Sequence, residues 1–303
     1  MTREEFLNIG LVQDFEQSLL FERNLSEHTA VGYLQDLKHL YDYAESQNTQ
    51  VVDLTYPDLE TFLGYLHDAG IGVRSVARIV SGIKAYFKFL ESEEVLQENP
   101  TDLLESPKIG RNLPEVLTVE EIDAIMDNID TNTPNGLRNA AMVEFLYSCG
   151  LRVSELCNLC FNELYLEKEY IRVLGKGSKE RLVPMSPSAI ERVREYLPLR
   201  HSIAAKEPYQ HHLFLSRNKM AISRQMVFRI IKELARAAGI TKSISPHTFR
   251  HSFATHLLEG GAPLQAIRDM LGHTDISTTE IYTHIDRTQL RNEILKHHPR
   301  NQQ

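Results

Sequence analysis
The sequence predicts a mainly α-helical protein of two domains, the second an α+β unit carrying one small β-hairpin. Three observations lead to that expectation. Apolar residues recur at helical spacing through the first hundred positions. A stretch with three prolines and little periodicity, ENPTDLLESPKIGRNLPEVLT (98–118), then has the composition of a linker. After it the apolar period switches to two over 169–184. A length of 303 residues suits about two domains, and the expected division is 1–109 and 110–303.

In chain order, LSEHTAVGYLQDLKHLYDYAES (25–46) opens with Ser26 as an N-cap. It places Val31, Leu34, Leu37, Tyr41 and Tyr43 mostly at helical spacing. YPDLETFLGYLHDAG (56–70) is a second helix, stopped by Gly70. IGVRSVARIVSGIKAYFKFLES (71–92) is a third, with Val76, Ile79, Val80, Ile83 and Phe87 as its apolar face. On that helix Arg74, Arg78, Ser81, Lys84 and Lys88 fall within an arc of roughly 120°. Such a stripe is either a solvated face or a surface that tracks phosphates, and the pattern alone leaves both open. Thr118 with Glu121 makes a capping box that starts the second domain. There, LRNAAMVEFLYSCG (137–150) is a helix ended by Gly150. EYIRVL and KERLVP flank GKGS in a hairpin, with Lys176 between two glycines at the turn. Helices resume in SPHTFRHSFATHLLEGG (245–261), PLQAIRDMLGH (263–273) and LRNEILKHHPR (290–300).

An apolar content of 42% with 24% charged residues is ordinary for a soluble globular chain. No apolar run approaches membrane-spanning length, and MTREEFLNIGLVQ carries no cleavage-type signal. The odd number of cysteines, Cys149, Cys157 and Cys160, fits free thiols in a reducing cytoplasm. CNLC (157–160) has the spacing of half a zinc site or of a redox pair. No second CxxC follows and the flanks read as a helix end, so packing is the expectation. The net charge of −8 argues against a nucleic-acid partner. That objection weakens when the chain is divided. Residues 1–108 hold 8 Lys and Arg against 19 Asp and Glu; the remainder holds 25 against 22, with ten of the thirteen histidines. Binding depends on where the cations cluster, not on their total.

Several polar residues sit at element ends. Arg152 follows a helix stop in CGLRVSEL, and Lys176 tips the hairpin. His247 and Arg250, three apart, share a face of a helix begun by Pro246. His273 follows Gly272, and Tyr282 comes nine residues later in ISTTEIYTH (276–284). Singly these are surface charges, a dipole partner and an aromatic. Together they are two guanidiniums, two imidazoles, an ammonium and a phenol, without a carboxylate cluster for a metal. That inventory suits phosphoryl transfer: guanidiniums grip non-bridging oxygens, imidazoles stabilise developing charge, the ammonium protonates a leaving oxygen and the phenol attacks.

GLRVSEL, VLGKGSKERLVP, HTFRHSFATHLLEGG, LGH and STTEIYTH resemble the tyrosine site-specific recombinases, and within them the bacterial Xer proteins; within that group the tail resembles the D-type member more than the C-type. The resemblance runs over almost the whole chain, including LSEHTAVGYLQDL and the terminal HHPR. It implies a helical, SAM-like core-binding domain followed by a catalytic domain. It assigns Arg152 and Arg250 as phosphate-clamping arginines, His247 and His273 as supporting donors or proton-transfer groups, Lys176 as general acid and Tyr282 as nucleophile. Lys179 is the alternative acid, and Glu155 resembles a residue that orients the first arginine. It further implies DNA contact through Arg74, Arg78, Lys84 and Lys88, and strand exchange through a 3′-phosphotyrosyl intermediate without metal or cofactor. The implied partners are a double-stranded recombination site and a tetramer, of this chain alone or with a second recombinase. A septal DNA translocase is the implied activator, and Leu290, Ile294 and Leu295 resemble the C-terminal helix that docks on a neighbour. The implied setting is the cytoplasm, at the nucleoid, with chromosome-dimer resolution as the process.

Three other readings compete. An integrase of a phage or mobile element would keep the chemistry, but few residues precede Ser26 to supply an arm-binding domain. A DNA-binding protein that no longer cleaves would not need the full catalytic set. A zinc site on His247, His251 and His256 with the cysteines would place Arg250, a permanent cation, beside the metal.

Overall fold
The computed structural model describes residues 1–108, 115–175, 180–272 and 287–301. It separates into two compact units, Met1–Asn112 and Leu113–Gln303. The first is all helix: α1 (Arg3–Leu7), α2 (Gly10–Gln17), α3 (Glu27–Ser46), α4 (Tyr56–Asp68) and α5 (Val73–Ser92), with a π-helical turn at Ser18–Glu22. Ser26 caps α3 by accepting from the Thr29 amide, and Gly70 stands at φ +74 just beyond α4. The apolar faces of these helices enclose Phe15, Leu37, Leu40, Phe62, Ile83, Tyr86 and Phe87. Tyr41 and Tyr86 satisfy each other's hydroxyls at 2.6 Å within that core.

The second unit begins with α6 (Val119–Asp127), started by the Thr118–Glu121 capping box, and α7 (Pro134–Ser148). After α8 (Val153–Asn158) come strands β1 (Leu164–Tyr165), β2 (Tyr170–Leu174) and β3 (Glu180–Pro184). They form one antiparallel sheet in the order β1-β2-β3, with Val173 opposite Arg181. Five helices complete it: α9 (Pro187–Ser202), α10 (Arg224–Ala237), α11 (Pro246–Glu259), α12 (Leu264–Leu271) and α13 (Arg287–His297). Their shared core holds Phe145, Tyr147, Leu156, Ile171, Val183, Phe249 and Phe253. Cys149 and Cys157 belong to this core, and burial pushes both thiols up, Cys157 to about 11. Packing therefore accounts for them. Among the described residues no helix is long and apolar enough to cross a membrane.

In this single chain the C-terminal helix packs on the core of its own unit. Ile294 is 1% exposed in the core of its own unit, with Leu290 packed beside it. At the end of α13 His297 Nδ1 donates to Gly260 O at 2.5 Å, and beyond it Arg300 pairs with Asp123. His298 is fully buried, its ring 4.7 Å from Tyr147 and 5.5 Å from Phe253. Apolar area on this face of α13 is best removed from water by the nearest core, which here is the chain's own.

That buried imidazole makes the fold acid-sensitive. Burial, then the neighbouring His256 and Arg300, pulls His298 down to about 3. In the unfolded chain a histidine titrates near about 6.5, so below that pH the unfolded state takes up the proton first. The stabilisation is complete above about 6.5 and disappears as pH falls toward the folded value. Between pH 6.5 and pH 5 it amounts to about 2 kcal/mol. Urea midpoints of the wild type and His298→Gln at those two pH values check this: the acid-induced drop should be smaller in the variant by about that amount.

Candidate active site
The second unit turns sharply between α7 and α8. Gly150 has φ +57, and a Cβ there would stand 2.6 Å from the Phe253 ring, so only glycine fits both the turn and the packing. The turn places Arg152 at the N-cap of α8 and Glu155 three residues on. Glu155 Oε2 accepts from the Arg152 amide at 2.8 Å, the return half of a capping box that fixes the carboxylate.

Three guanidiniums converge on that carboxylate, whose side chain is 4% exposed. Arg152 Nη1 donates to Oε1 at 2.9 Å. Arg181, from β3, donates through Nη1 to Oε1 at 2.6 Å and through Nη2 to Oε2 at 2.8 Å. Arg250, from the first turns of α11, stands 3.9 Å from Oε2. The same three side chains hold successive carbonyls at the end of α12. Arg181 Nε donates to Met270 O at 2.9 Å, Arg250 Nη2 to Leu271 O at 2.5 Å and Arg152 Nη2 to Gly272 O at 3.0 Å. These carbonyls are the negative end of the helix dipole, so cations are favoured there. Arg250 Nη1 also donates to Gly150 O at 2.6 Å, joining the two turns.

The electrostatics follow from the crowding. Burial opposes ionisation of Glu155, but the Arg181 hydrogen bonds and charge, with those of Arg152, outweigh it and hold the carboxyl below its usual range. Burial, then the neighbouring Arg152 charge, draws Arg250 down to about 9, so it remains cationic at neutral pH. One carboxylate against three guanidiniums leaves an excess of positive charge. The Arg152 side chain, 32% exposed, presents that excess to solvent, whereas Arg250 is 9% exposed. The arrangement suits an anion with several non-bridging oxygens.

Of the residues expected at this site, the structure brings together Arg152, Glu155 and Arg250. His247 is exposed on the first turn of α11, three residues before Arg250. Lys176, with its alternative Lys179, His273 and Tyr282 lie outside the described residues. Arg181 was not singled out by the sequence. In the sequence it reads as one more charge in the KERLVP arm of the hairpin, with no local signal of its role.

Residues 115–289 match the phage integrase family, and residues 12–94 match the phage integrase N-terminal SAM-like domain. The chain belongs to the phage integrase family. Among curated relatives, this integrase-family chain is 39% identical over 291 residues to the tyrosine recombinase XerD of Staphylococcus saprophyticus, covering 96% of this chain and 99% of that one. The identity and coverage are the same for XerD of Staphylococcus aureus strain Mu50. Among solved structures, the XerA recombinase shares 27% identity with a TM-score of 0.50, covering 95% of this chain and 98% of that one. The Tn1549 transposon integrase in complex with circular intermediate DNA shares the fold at 19% identity and a TM-score of 0.70, over 93% and 94% of the two chains.

In the SAM-like domain of this integrase-family member, the basic stripe lies along α5. Arg74 and Lys88 are exposed and Lys84 is half-buried. Arg78 is held by a buried carboxylate: its Nη1 is 2.6 Å from Asp36 Oδ1, and the Asp36 side chain is 4% exposed. Burial pushes the Asp36 carboxyl up, and the Arg78 charge pulls it part of the way back. Gly82 lets α3 approach at this point, since a Cβ would stand 3.0 Å from that of Asp36. Among the described residues no three His, Cys, Asp or Glu side chains gather as they would to hold a metal. His256 shares a 2.9 Å hydrogen bond with the buried Tyr147 hydroxyl, while His247 faces solvent.

Proposed function
We propose that this chain is a tyrosine recombinase that cuts and rejoins DNA at a specific site, with Arg152 and Arg250 as the phosphate clamp and Tyr282 as the nucleophile. The observation that carries the reading is the meeting of Arg152 and Arg250 around Glu155, at the helix end that His273 directly follows in sequence. Guanidiniums fixed on both sides by carboxylate and carbonyls are preorganised for a phosphodiester and need no rearrangement as charge builds on it. The 39% identity to staphylococcal XerD proteins over 96% of the chain supports the same reading.

In the first step the Tyr282 oxygen attacks phosphorus and loses its proton to a neighbouring base, with His247 and His273 as the available imidazoles. The bond from phosphorus to the 5′-oxygen breaks, and Lys176 gives that oxygen a proton. A 3′-phosphotyrosyl link and a free 5′-hydroxyl remain. Attack by a 5′-hydroxyl of the partner duplex reverses these transfers through a Holliday junction, so the bond energy is retained. Arg74, Arg78, Lys84 and Lys88 add phosphate contacts that set affinity and salt dependence more than sequence choice. The XerD likeness supports resolution of chromosome dimers at division as the process; on this reading four protomers act on two sites at the nucleoid, with a septal DNA translocase as activator.

The test is to trap covalent adducts on DNA from the host's chromosome terminus and sequence what is bound. Recovery of one short site, with a protein–DNA link stable to denaturant, is expected; no adduct on any segment would refute the reading. A second expectation concerns the acid. Lys176→Ala should cleave the recovered site on the order of 10²-fold or more slowly. A 5′-bridging phosphorothiolate, whose thiolate leaves without a proton, should restore it to near the wild-type rate. Single-turnover rates on the two substrates check this, and lack of rescue would move the role to Lys179 or a histidine.

A further inference from the structure
We propose that Arg181 is a positioning residue of the cleavage reaction: it saturates Glu155 so that Arg152 and Arg250 stay aimed at the scissile phosphate. The inference rests on the recombinase reading above. Its geometry is specific. All three nitrogens of the Arg181 guanidinium point inward, two to the two oxygens of Glu155 and the third to Met270 O, and the side chain is 8% exposed. A group so enclosed offers no donor edge to a phosphate outside, so Arg181 acts through its neighbours.

What it does to them follows from hydrogen-bond capacity. A carboxylate accepts a bidentate fork, and either clamp arginine could supply that fork as well as Arg181 does. Arg152 now gives Glu155 one nitrogen and Gly272 O another, and Arg250 stands off at 3.9 Å. With Arg181 removed, Glu155 loses its closest partner and turns to chelate Arg152 or Arg250, taking from them the N–H groups that would meet phosphate. The carbonyl side has the same logic. Arg181 holds Met270 O next to the two carbonyls that fix the clamp, and Gly272 is shaped to it, since a Cβ there would stand 2.9 Å from Arg181 Cδ. Sequence separates these contacts by 26 and 89 residues, so β3 ties α8 to the end of α12.

The experiment compares wild type, Arg181→Met and Arg181→Lys in the full chain, on a nicked duplex carrying the site recovered by adduct trapping. A second duplex carries a methylphosphonate at the scissile position, which removes the charge on the non-bridging oxygen. Arg181→Met should bind the phosphodiester duplex within about twofold of wild type while its single-turnover cleavage falls about 10- to 100-fold. On the methylphosphonate, where the clamp's charge matters less, that deficit should shrink to a few-fold. Arg181→Lys keeps the charge without the fork and should fall between the two. Separately, a carbon-13 carboxyl titration of the DNA-free protein should show Glu155 titrating at higher pH in Arg181→Met. Cleavage within threefold of wild type would overturn the proposal, as would an equal deficit on both duplexes or an unmoved Glu155 titration. If the wild type itself forms no adduct, it is the recombinase reading that fails, while the carboxyl titration still decides the contact.

Discussion
Tyr282→Phe should bind the recombination site as tightly as wild type and form no covalent adduct with it. The substitution keeps the ring and removes one oxygen, so any loss is assigned to the attacking atom and not to packing. Cleavage of a nicked duplex should fall on the order of 10⁴-fold or more, the scale seen when a covalent nucleophile is deleted. The outcome separates two classes of protein. A non-cleaving DNA binder would show no adduct in either form. A recombinase shows it in wild type alone, because the two guanidiniums, however well placed, have nothing to transfer phosphorus to. Denaturing gels of protein with end-labelled duplex read the adduct, and mobility shifts at matched salt read the binding. An adduct in the phenylalanine form would move the nucleophile to another residue.

How much of this site could be read from the sequence depends on the kind of contact involved. Arg152 and Arg250 were legible because each sits at an element boundary, one beyond a glycine stop and the other a turn inside a proline-started helix. Local rules mark such places as unusual for a buried charge. Glu155 came only from the family resemblance, as a residue that orients the first arginine; the capping box it closes with the Arg152 amide is seen in the structure. Arg181 was not legible, because its role exists only across the fold. In β3 it looks like one charge in a hairpin, and nothing nearby in sequence shows that Met270 O and Glu155 will lie beneath it. The same limit explains Arg78: the helical period put it on a basic stripe, but its pairing with buried Asp36 depends on how α3 meets α5. β1, with two residues, is too short for a period to register, and α9 runs through Pro198, which local propensity would read as a stop. The docking of α13 on its own core was hidden for a different reason. An apolar helix face states that it must be covered, not by which copy of the chain.

Arg250→Ala is expected to damage both the fold and the chemistry, and the two losses can be separated. In the fold, two buried carbonyls, Gly150 O and Leu271 O, lose their donor. An unsatisfied buried acceptor costs about 1–3 kcal/mol, so the second unit should unfold at lower urea by an amount within reach of that sum. Glu155 does not add to the loss, because Arg152 and Arg181 remain on it at hydrogen-bond distance while Arg250 stood 3.9 Å away. In the chemistry, removing one preorganised donor to the developing phosphorane lowers the cleavage rate about 10²- to 10³-fold. Arg250→Lys distinguishes the two effects. An ammonium can satisfy one carbonyl and restore part of the stability, but it has no planar fork to serve carbonyls and a phosphate at once. The lysine form should therefore recover much of the urea midpoint while its single-turnover rate stays close to that of the alanine form. Rates that rise in step with stability would mean that Arg250 acts only by holding the α7–α8 turn against the end of α12. Rates that stay low in a refolded site assign it to the phosphate, with its carbonyl contacts as the means by which a buried guanidinium is kept aimed outward.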